Sequence, residues 1–188
     1  MASNWSALIL SGGTSKRFGS DKSEAKLEGR ALIDLVLDAI PGDVPVVVVG
    51  PNRLEFDSRV QVIQEQPPFG GPVAGIAAGI SLVKTELVAV LATDMPYAPS
   101  ILPLLIANLD EEIDAILPLD DSGFLQPFSG IYRRSALAAA LEKLATVDGE
   151  SMRNLVADLR VKSFELAGDA RALLDIDTQD DLQREVKA

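Results

Sequence analysis

The chain reads as a single α/β domain, a mostly parallel sheet with helices on both faces. Two observations predict it. Short runs that are almost continuously apolar, β-branched or leucine-rich, recur along the sequence. Stretches with helical spacing separate them, the pattern of strands buried on both faces beneath crossover helices.

The elements follow in order. Ala7–Leu10, Val44–Val49, Val60–Gln64 and Leu87–Ala92 read as strands, with helical stretches at Ala31–Ile40, Val73–Val83 and Ser100–Leu109. Asp114–Pro118 and Gln126–Tyr132 read as further strands, the second an antiparallel candidate. Helices are expected at Ala136–Ala145 and Ser151–Leu159, and a strand at Val161–Glu165. The run D-I-D-T-Q-D-D-L starts a last helix, with Thr178 and Asp181 spaced as a capping box. There is no internal repeat, low-complexity tract or linker, so residues 1–188 are expected to form one domain.

Composition narrows the chemistry. The chain has no cysteine and no histidine. A disulfide framework, a cysteine nucleophile, a histidine-based triad and an ordinary zinc site are therefore excluded. Carboxylates, Lys and Arg, hydroxyls, backbone amides and a hard metal ion remain. The net charge of −11 argues against a nucleic-acid partner. No apolar run reaches the roughly 20 residues of a membrane span, and M-A-S-N-W does not resemble a secretory signal, so a cytoplasmic location is expected.

One local feature runs against the acidic whole. The stretch L-S-G-G-T-S-K-R-F-G-S-D-K, from Leu10 to Lys22, leaves the first strand carrying three glycines and three basic residues. In open α/β sheets ligands bind beyond the carboxyl ends of the strands. Glycine amides there can point at phosphate oxygens while Arg17 and Lys22 neutralise them. The Walker A pattern does not fit, because Ser20 and Asp21 follow Gly19, and G-x-G-x-x-G is absent. A tight turn is the competing explanation of the glycine pair.

Other strand exits add to this. Asp94, after L-V-A-V-L-A-T, puts a carboxylate at the same edge. It suits Mg²⁺, which takes one or two carboxylates plus substrate phosphates, and it equally suits a cap on the turn before Pro96. The run Q-E-Q-P-P-F-G-G-P-V-A-G, Gln64 to Gly75, could shape a base or ribose pocket or simply turn into a helix. Asp175 and Asp177 offer further carboxylates at a helix start.

Taken together these motifs resemble the molybdenum cofactor guanylyltransferases, a branch of the nucleotidyltransferases. The first loop is similar to their L-A-G-G-x-S-x-R-M-G-x-D-K signature. F-G-G-P-V-A-G-I resembles G-P-L-A-G, A-T-D-M-P resembles C-D-M-P, and D-I-D-T-Q-D-D-L resembles D-I-N-T-P-E-D-L. The resemblance implies a three-layer, Rossmann-like fold of the nucleotide-diphospho-sugar transferase kind. It implies transfer of GMP from Mg²⁺-GTP to the phosphate of molybdopterin, with release of pyrophosphate. Leu10, Ser11, Gly12 and Gly13 would line the nucleotide, with Gly50, Glu65 and Gly71. Arg17 and Lys22 would meet the phosphates, and Asp94 would ligate Mg²⁺, with Asp177 a candidate second ligand. GTP and molybdopterin are the implied small-molecule partners. Other cofactor-biosynthesis proteins or acceptor molybdoenzymes are candidate protein partners, and no nucleic acid or membrane is expected.

The chain departs from the pattern at several positions. Ser11 and Phe18 replace Ala and Met, Glu65 stands where Asp is usual, Gly50 where an Asn is seen, and Asp177 where Asn is common. A phosphate monoester is already anionic, so its attack on a phosphorus requires no general base, and a histidine-free chain can align and neutralise the reactants. Lys22 is expected to contribute most, about 3–4 kcal/mol for a clamp comparable to an oxyanion donor. A cytidylyltransferase or other nucleotidyltransferase acting on a different phosphorylated acceptor is the nearest rival. A GTP-binding adaptor without turnover is the rival from another class. For the acceptor, Arg133 and Arg134 in Q-P-F-S-G-I-Y-R-R are candidates, with a solvated strand end as the plainer explanation.

Overall fold

The computed structural model describes residues 3–11, 26–27, 29–51, 56–166, 170–176 and 181. Its centre is a seven-stranded sheet in the order β5-β4-β1-β6-β8-β7-β9. The strands are β1 (Trp5–Leu10), β4 (Val46–Val49), β5 (Val60–Ile63), β6 (Leu87–Ala92), β7 (Ala115–Leu119), β8 (Ser129–Arg133) and β9 (Val161–Glu165). β1 pairs in parallel with β4 and β6, β4 with β5, and β7 with β9. β8 runs antiparallel to both β6 and β7, which confirms the expected direction.

Alternation along each strand sends neighbouring residues to opposite faces. Ile9, Val48, Leu91 and Ile131 pack on one face with Ile33 and Val36 of α1 (Leu32–Asp38) and Leu102 and Leu105 of α3 (Leu102–Ala107). Leu8, Val47, Val90 and Leu117 pack on the other. There they meet α2 (Pro72–Ile80), α4 (Arg134–Glu142) and α5 (Met152–Val156) through Ile76, Leu137 and Leu155. Both faces being covered is why the strands are apolar at nearly every position.

Boundaries differ from expectation where local chemistry intervenes. The stretch beginning at Ser100 starts earlier, as a 3-10 turn over Ala98–Ile101 whose Pro99 suits a first turn, before α3 takes over. β8 starts at Ser129 and not Gln126, because the Ser129 amide donates back to the Gln126 carbonyl at 3.2 Å and closes a turn. A two-stranded ribbon, β2 (Lys26–Leu27) with β3 (Arg30–Ala31), was not expected from the sequence, since two-residue strands carry no period. The expected last helix falls largely outside the described residues.

One packing detail positions the site. A Cβ on Gly79 of α2 would stand 2.8 Å from Val49 Cγ2 and 2.9 Å from Leu8 Cδ1. Glycine there lets α2 lie close to β1 and β4. Gly75, one turn earlier, also lies close on the strand ends, where a Cβ would stand 3.1 Å from Leu10 Cδ2.

Candidate functional site

After β1 the chain proceeds to β4 and β5 on one side, and it later crosses to β6 on the other. The adjacent exits of β1 and β6 therefore form the switch point where open α/β sheets bind ligands. Backbone hydrogen bonds tie these exits together. Thr93 N–H donates to Leu10 O at 3.3 Å, and Ser11 N–H donates to Val49 O at 2.8 Å. Gly50 N–H donates to Ile63 O at 2.9 Å.

Leu10 and Ser11 thus stand at the mouth, with Ser11 buried. Gly50 lies against them with φ at 151°, a conformation that favours glycine. A Cβ there would come within 2.6 Å of Ser11 O. The position can carry an Asn side chain only if the start of the glycine loop moves.

Asp94 follows β6 by two residues and is half-buried, in a turn closed by Met95 N–H donating to Ala92 O at 3.3 Å. Its carbonyl accepts from Ile176 N–H at 2.8 Å, so the chain's C-terminal part returns to the β6 exit. Arg171 joins that return, its guanidinium 4.5 Å from the Tyr97 ring centroid and its Nη2 donating to Tyr97 OH at 3.1 Å.

Glu65 is only 8% exposed, and its Oε1 accepts from Phe69 N–H at 2.9 Å. That bond closes the loop after β5 and accompanies the left-handed backbone of Phe69, at φ 66°, a residue that is 69% exposed. Gly71 precedes Pro72 at the start of α2, with open space where a Cβ would stand. The loop is braced from outside by Gly149 N–H donating to Gly70 O at 2.8 Å.

The structure therefore brings Leu10, Ser11, Gly50 and Asp94 to one crevice, with Glu65 and Gly71 in the loop at the same sheet edge. Gly12, Gly13, Arg17, Lys22 and Asp177 lie outside the described residues. Among the described residues no group of three or more acidic, histidine or cysteine side chains is arranged to hold a metal ion. Arg133 stands elsewhere. It pairs with Leu87 at the amino end of β6, roughly 15 Å from that strand's exit. Its guanidinium donates to Ile113 O at 2.9 Å, Asp110 O at 3.1 Å and Glu86 Oε1 at 2.6 Å. Arg133 is a structural clasp, and Arg134 is the first residue of α4 at the same edge.

Sequence reasoning missed a further feature of the site's edge, the loop from Asp120 to Phe128 between β7 and β8. Asp120 Oδ1 accepts from the amides of Ser122 and Phe124, both at 2.9 Å, and Oδ2 accepts from Gln126 Nε2 at 2.7 Å. The Phe124 amide, then those of Ser122 and the Gln126 side chain, hold the carboxyl below the usual carboxylate range. The signal was present in D-D-S-G-F, where an Asp two residues ahead of Ser-Gly marks a turn closed by its own side chain.

A glycine-rich strand exit beside a carboxylate at the switch point of a doubly covered α/β sheet is the architecture of a nucleotidyltransferase domain. Residues 7–163 match the MobA-like NTP transferase domain, and the chain belongs to that family. It is 35% identical over 148 residues to the "Probable molybdenum cofactor guanylyltransferase" of a Nostoc species, covering 74% of this chain and 70% of that one. A relative of the same description from Chloroflexus aggregans is 29% identical over 194 residues, covering 95% of this chain and 91% of that one. Among solved structures, molybdopterin-guanine dinucleotide biosynthesis protein A from Archaeoglobus fulgidus superimposes with a TM-score of 0.76 at 26% identity, covering 97% of each chain. The 4-diphosphocytidyl-2C-methyl-D-erythritol synthase of Anaerococcus prevotii shares the fold, with a TM-score of 0.71 at 16% identity over 97% of this chain and 94% of that one. The protein is a nucleotidyltransferase.

Proposed function

We propose that the protein transfers GMP from GTP to the terminal phosphate of molybdopterin. An acceptor phosphate oxygen attacks the α-phosphorus of GTP, a new P–O–P bond forms, and the bond to the β-phosphate breaks. Pyrophosphate leaves and the guanine dinucleotide form of the cofactor results. The acceptor oxygen is already anionic, so no side chain has to remove a proton in this step.

The observation that carries the proposal is the adjacency of Asp94 to the β1 exit, joined through Thr93 N–H and Leu10 O at 3.3 Å. The likeness to relatives described as molybdenum cofactor guanylyltransferases supplies the nucleotide and the acceptor. In this reading Leu10 to Gly13 line the nucleotide, with Gly50, Glu65 and Gly71 around it, while Arg17 and Lys22 hold the phosphates. The donor set suits Mg²⁺, because Asp94 supplies one half-buried carboxylate two residues past the end of β6, and triphosphate oxygens and water would complete six oxygen ligands. Mg²⁺ bound there would neutralise charge developing on the α-phosphate and pyrophosphate. Asp177 is the candidate second ligand. A cytoplasmic setting, where GTP is available, suits this chemistry.

The test is pyrophosphate release on mixing the protein with Mg²⁺, molybdopterin and each of GTP, CTP, ATP and UTP, with the product weighed by mass spectrometry. Release with GTP and a product heavier by GMP supports the proposal. Preference for CTP would replace it with cytidylyl transfer, and GTP binding without release would make the protein an adaptor. Asp94→Asn and Lys22→Ala are each expected to lower turnover by at least about 100-fold, the loss typical of one transition-state contact, while melting is unchanged. An active Asp94→Asn protein would remove the metal role.

A further inference from the structure

The loop between β7 and β8 opens on the same edge as Asp94. β6 pairs antiparallel with β8, Leu91 opposite Ser129, so the residues before Ser129 run beside those that follow Leu91. The Ser129 hydroxyl lies 3.3 Å from Met95 Sδ, which confirms that the two segments touch. Gln126, Pro127 and Phe128 thus stand on the far side of Asp94 from the exits of β1, β4 and β5. Those exits hold the residues proposed for the nucleotide, so this flank is the side left to a second reactant.

Gln126 is fixed there with unusual definition. Its backbone N–H donates to Pro118 O at 2.8 Å and its carbonyl accepts from Ser129 N–H at 3.2 Å. The next residue is pinned too, because the buried Tyr132 hydroxyl donates to Pro127 O at 2.7 Å. An ionised carboxylate only accepts hydrogen bonds, so the partner of Asp120 Oδ2 must be the amide nitrogen of Gln126. The side-chain oxygen, Oε1, must then face the other way. Among the described residues no group donates to it, and it is not a buried orphan. A half-buried acceptor of set orientation is left open beside the carboxylate.

We propose that Gln126 Oε1 accepts a hydrogen bond from an N–H group of the phosphorylated acceptor, with Asp120 as the positioning residue that fixes the amide. The proposal rests on the transfer of a nucleotide to a phosphorylated acceptor, and it names which flank of Asp94 that acceptor occupies. An N–H donor at this place distinguishes a nitrogen heterocycle from a sugar phosphate, whose hydroxyls can donate or accept and would read the amide less strictly. Asp120 acts through Gln126. An Asn at position 120 both donates and accepts, so the amide of Gln126 could then turn over.

The experiment measures pyrophosphate release with GTP and a panel of phosphate monoesters that includes molybdopterin, methylerythritol phosphate and hexose 1-phosphates. Wild type is compared with Gln126→Ala, the near-isosteric Gln126→Met, and Asp120→Asn. Loss of one acceptor–donor bond predicts a rise of about 5–10-fold in KM for the acceptor in both Gln126 variants. KM for GTP and the melting temperature should stay at the wild-type values. Asp120→Asn should raise acceptor KM by a smaller factor, again with KM for GTP unchanged. An acceptor KM unmoved in Gln126→Ala and Gln126→Met overturns the proposal. So does a parallel rise in both KM values with lower melting, which would make the loop merely structural. If the best acceptor is a sugar or polyol phosphate, which carries no N–H group, the proposed function and this proposal both fall. If no panel member supports release, both fall.

Discussion

The amide of Ile176 donates to the carbonyl oxygen of Asp94 at 2.8 Å, so the carboxylate at the β6 exit is held in part by residues far along the chain. Ile176 is fully buried, in a small cluster with Leu27 and Leu32 to which Leu35 and Tyr97 add their partly buried faces. This cluster is separate from the two that sandwich the sheet. Loosening it should disturb Asp94 before it disturbs the fold.

Ile176→Ala therefore separates site order from global stability. Truncating a fully buried Ile costs about 2–5 kcal/mol, and a peripheral cluster belongs at the low end. Much of that cost falls on local detachment of residues 170–176. The expected outcome is a several-fold lower turnover and a higher Mg²⁺ concentration for half-maximal pyrophosphate release, with the main melting transition shifted by only a few degrees. An unchanged Mg²⁺ dependence would show that Asp94 is held without its help.

Arg59 tests a contact away from the site. Its Nη1 donates to Ile40 O at 3.1 Å and Pro41 O at 2.8 Å, and its Nη2 donates to Leu37 O at 2.8 Å, adding charged donors to carbonyls at and just past the end of α1. Its Nε is buried and has no partner among the described residues, which offsets part of the gain. Arg59→Ala should cost about 1–3 kcal/mol in chemical denaturation and leave kcat unchanged. Arg59→Lys should recover less than half, because one ammonium cannot span carbonyls that the guanidinium reaches with both arms.

Acid stability offers a third check. Asp114 Oδ1 accepts from Arg160 Nη2 at 2.7 Å, while Oδ2 accepts from Arg160 Nε and from the Arg160 amide, both at 3.0 Å. The Arg160 guanidinium chiefly holds the Asp114 carboxyl at about 2, against an ordinary value of 3.8. A lowered folded-state value stabilises above the unfolded one, and that stability is lost as pH falls through the folded one. Melting temperature should thus fall between about pH 4 and about pH 2 more steeply in wild type than in Asp114→Asn. The variant should already be less stable near neutrality. Parallel curves would mean that the pair adds nothing.

Much of the sheet was legible because strands covered on both faces must be apolar throughout. Leu87–Ala92 and Val161–Glu165 were predicted to the residue, and the antiparallel direction of Gln126–Tyr132 was anticipated. The crevice was legible for the same reason, since parallel strands bring the exits after Leu10 and Ala92 to one edge. What escaped depends on contacts between distant residues or on side chains folding onto their own loop. Nothing near Arg59 in the sequence says that it caps a helix ending some twenty residues earlier, and nothing near Ile176 points back to Asp94. The acceptor candidate Arg133 was read from its place in Q-P-F-S-G-I-Y-R-R alone. Arg133 clasps the opposite edge of the sheet. Nor does the fold select the base, because the cytidylyl-type synthase from Anaerococcus prevotii shares it at a TM-score of 0.71.

Gly50 gives the sharpest test of how the nucleotide loop is seated. Its φ of 151° lies where L side chains are rare, and a Cβ would meet Ser11 O at 2.6 Å and Ser11 C at 3.0 Å. Both are backbone atoms, so the clash cannot be relieved by turning a side chain. Ser11 is meanwhile tied to Val49 O at 2.8 Å, so it can give way only by straining that bond. Gly50→Ala should therefore cost about 1–3 kcal/mol in stability and displace Ser11 at the β1 exit. A displacement near 1 Å at a reacting centre typically costs about 100-fold in rate. Turnover should fall by that order, and GTP affinity in calorimetry by less. Wild-type turnover in Gly50→Ala would mean that the Leu10–Gly13 backbone is not what aligns the α-phosphate.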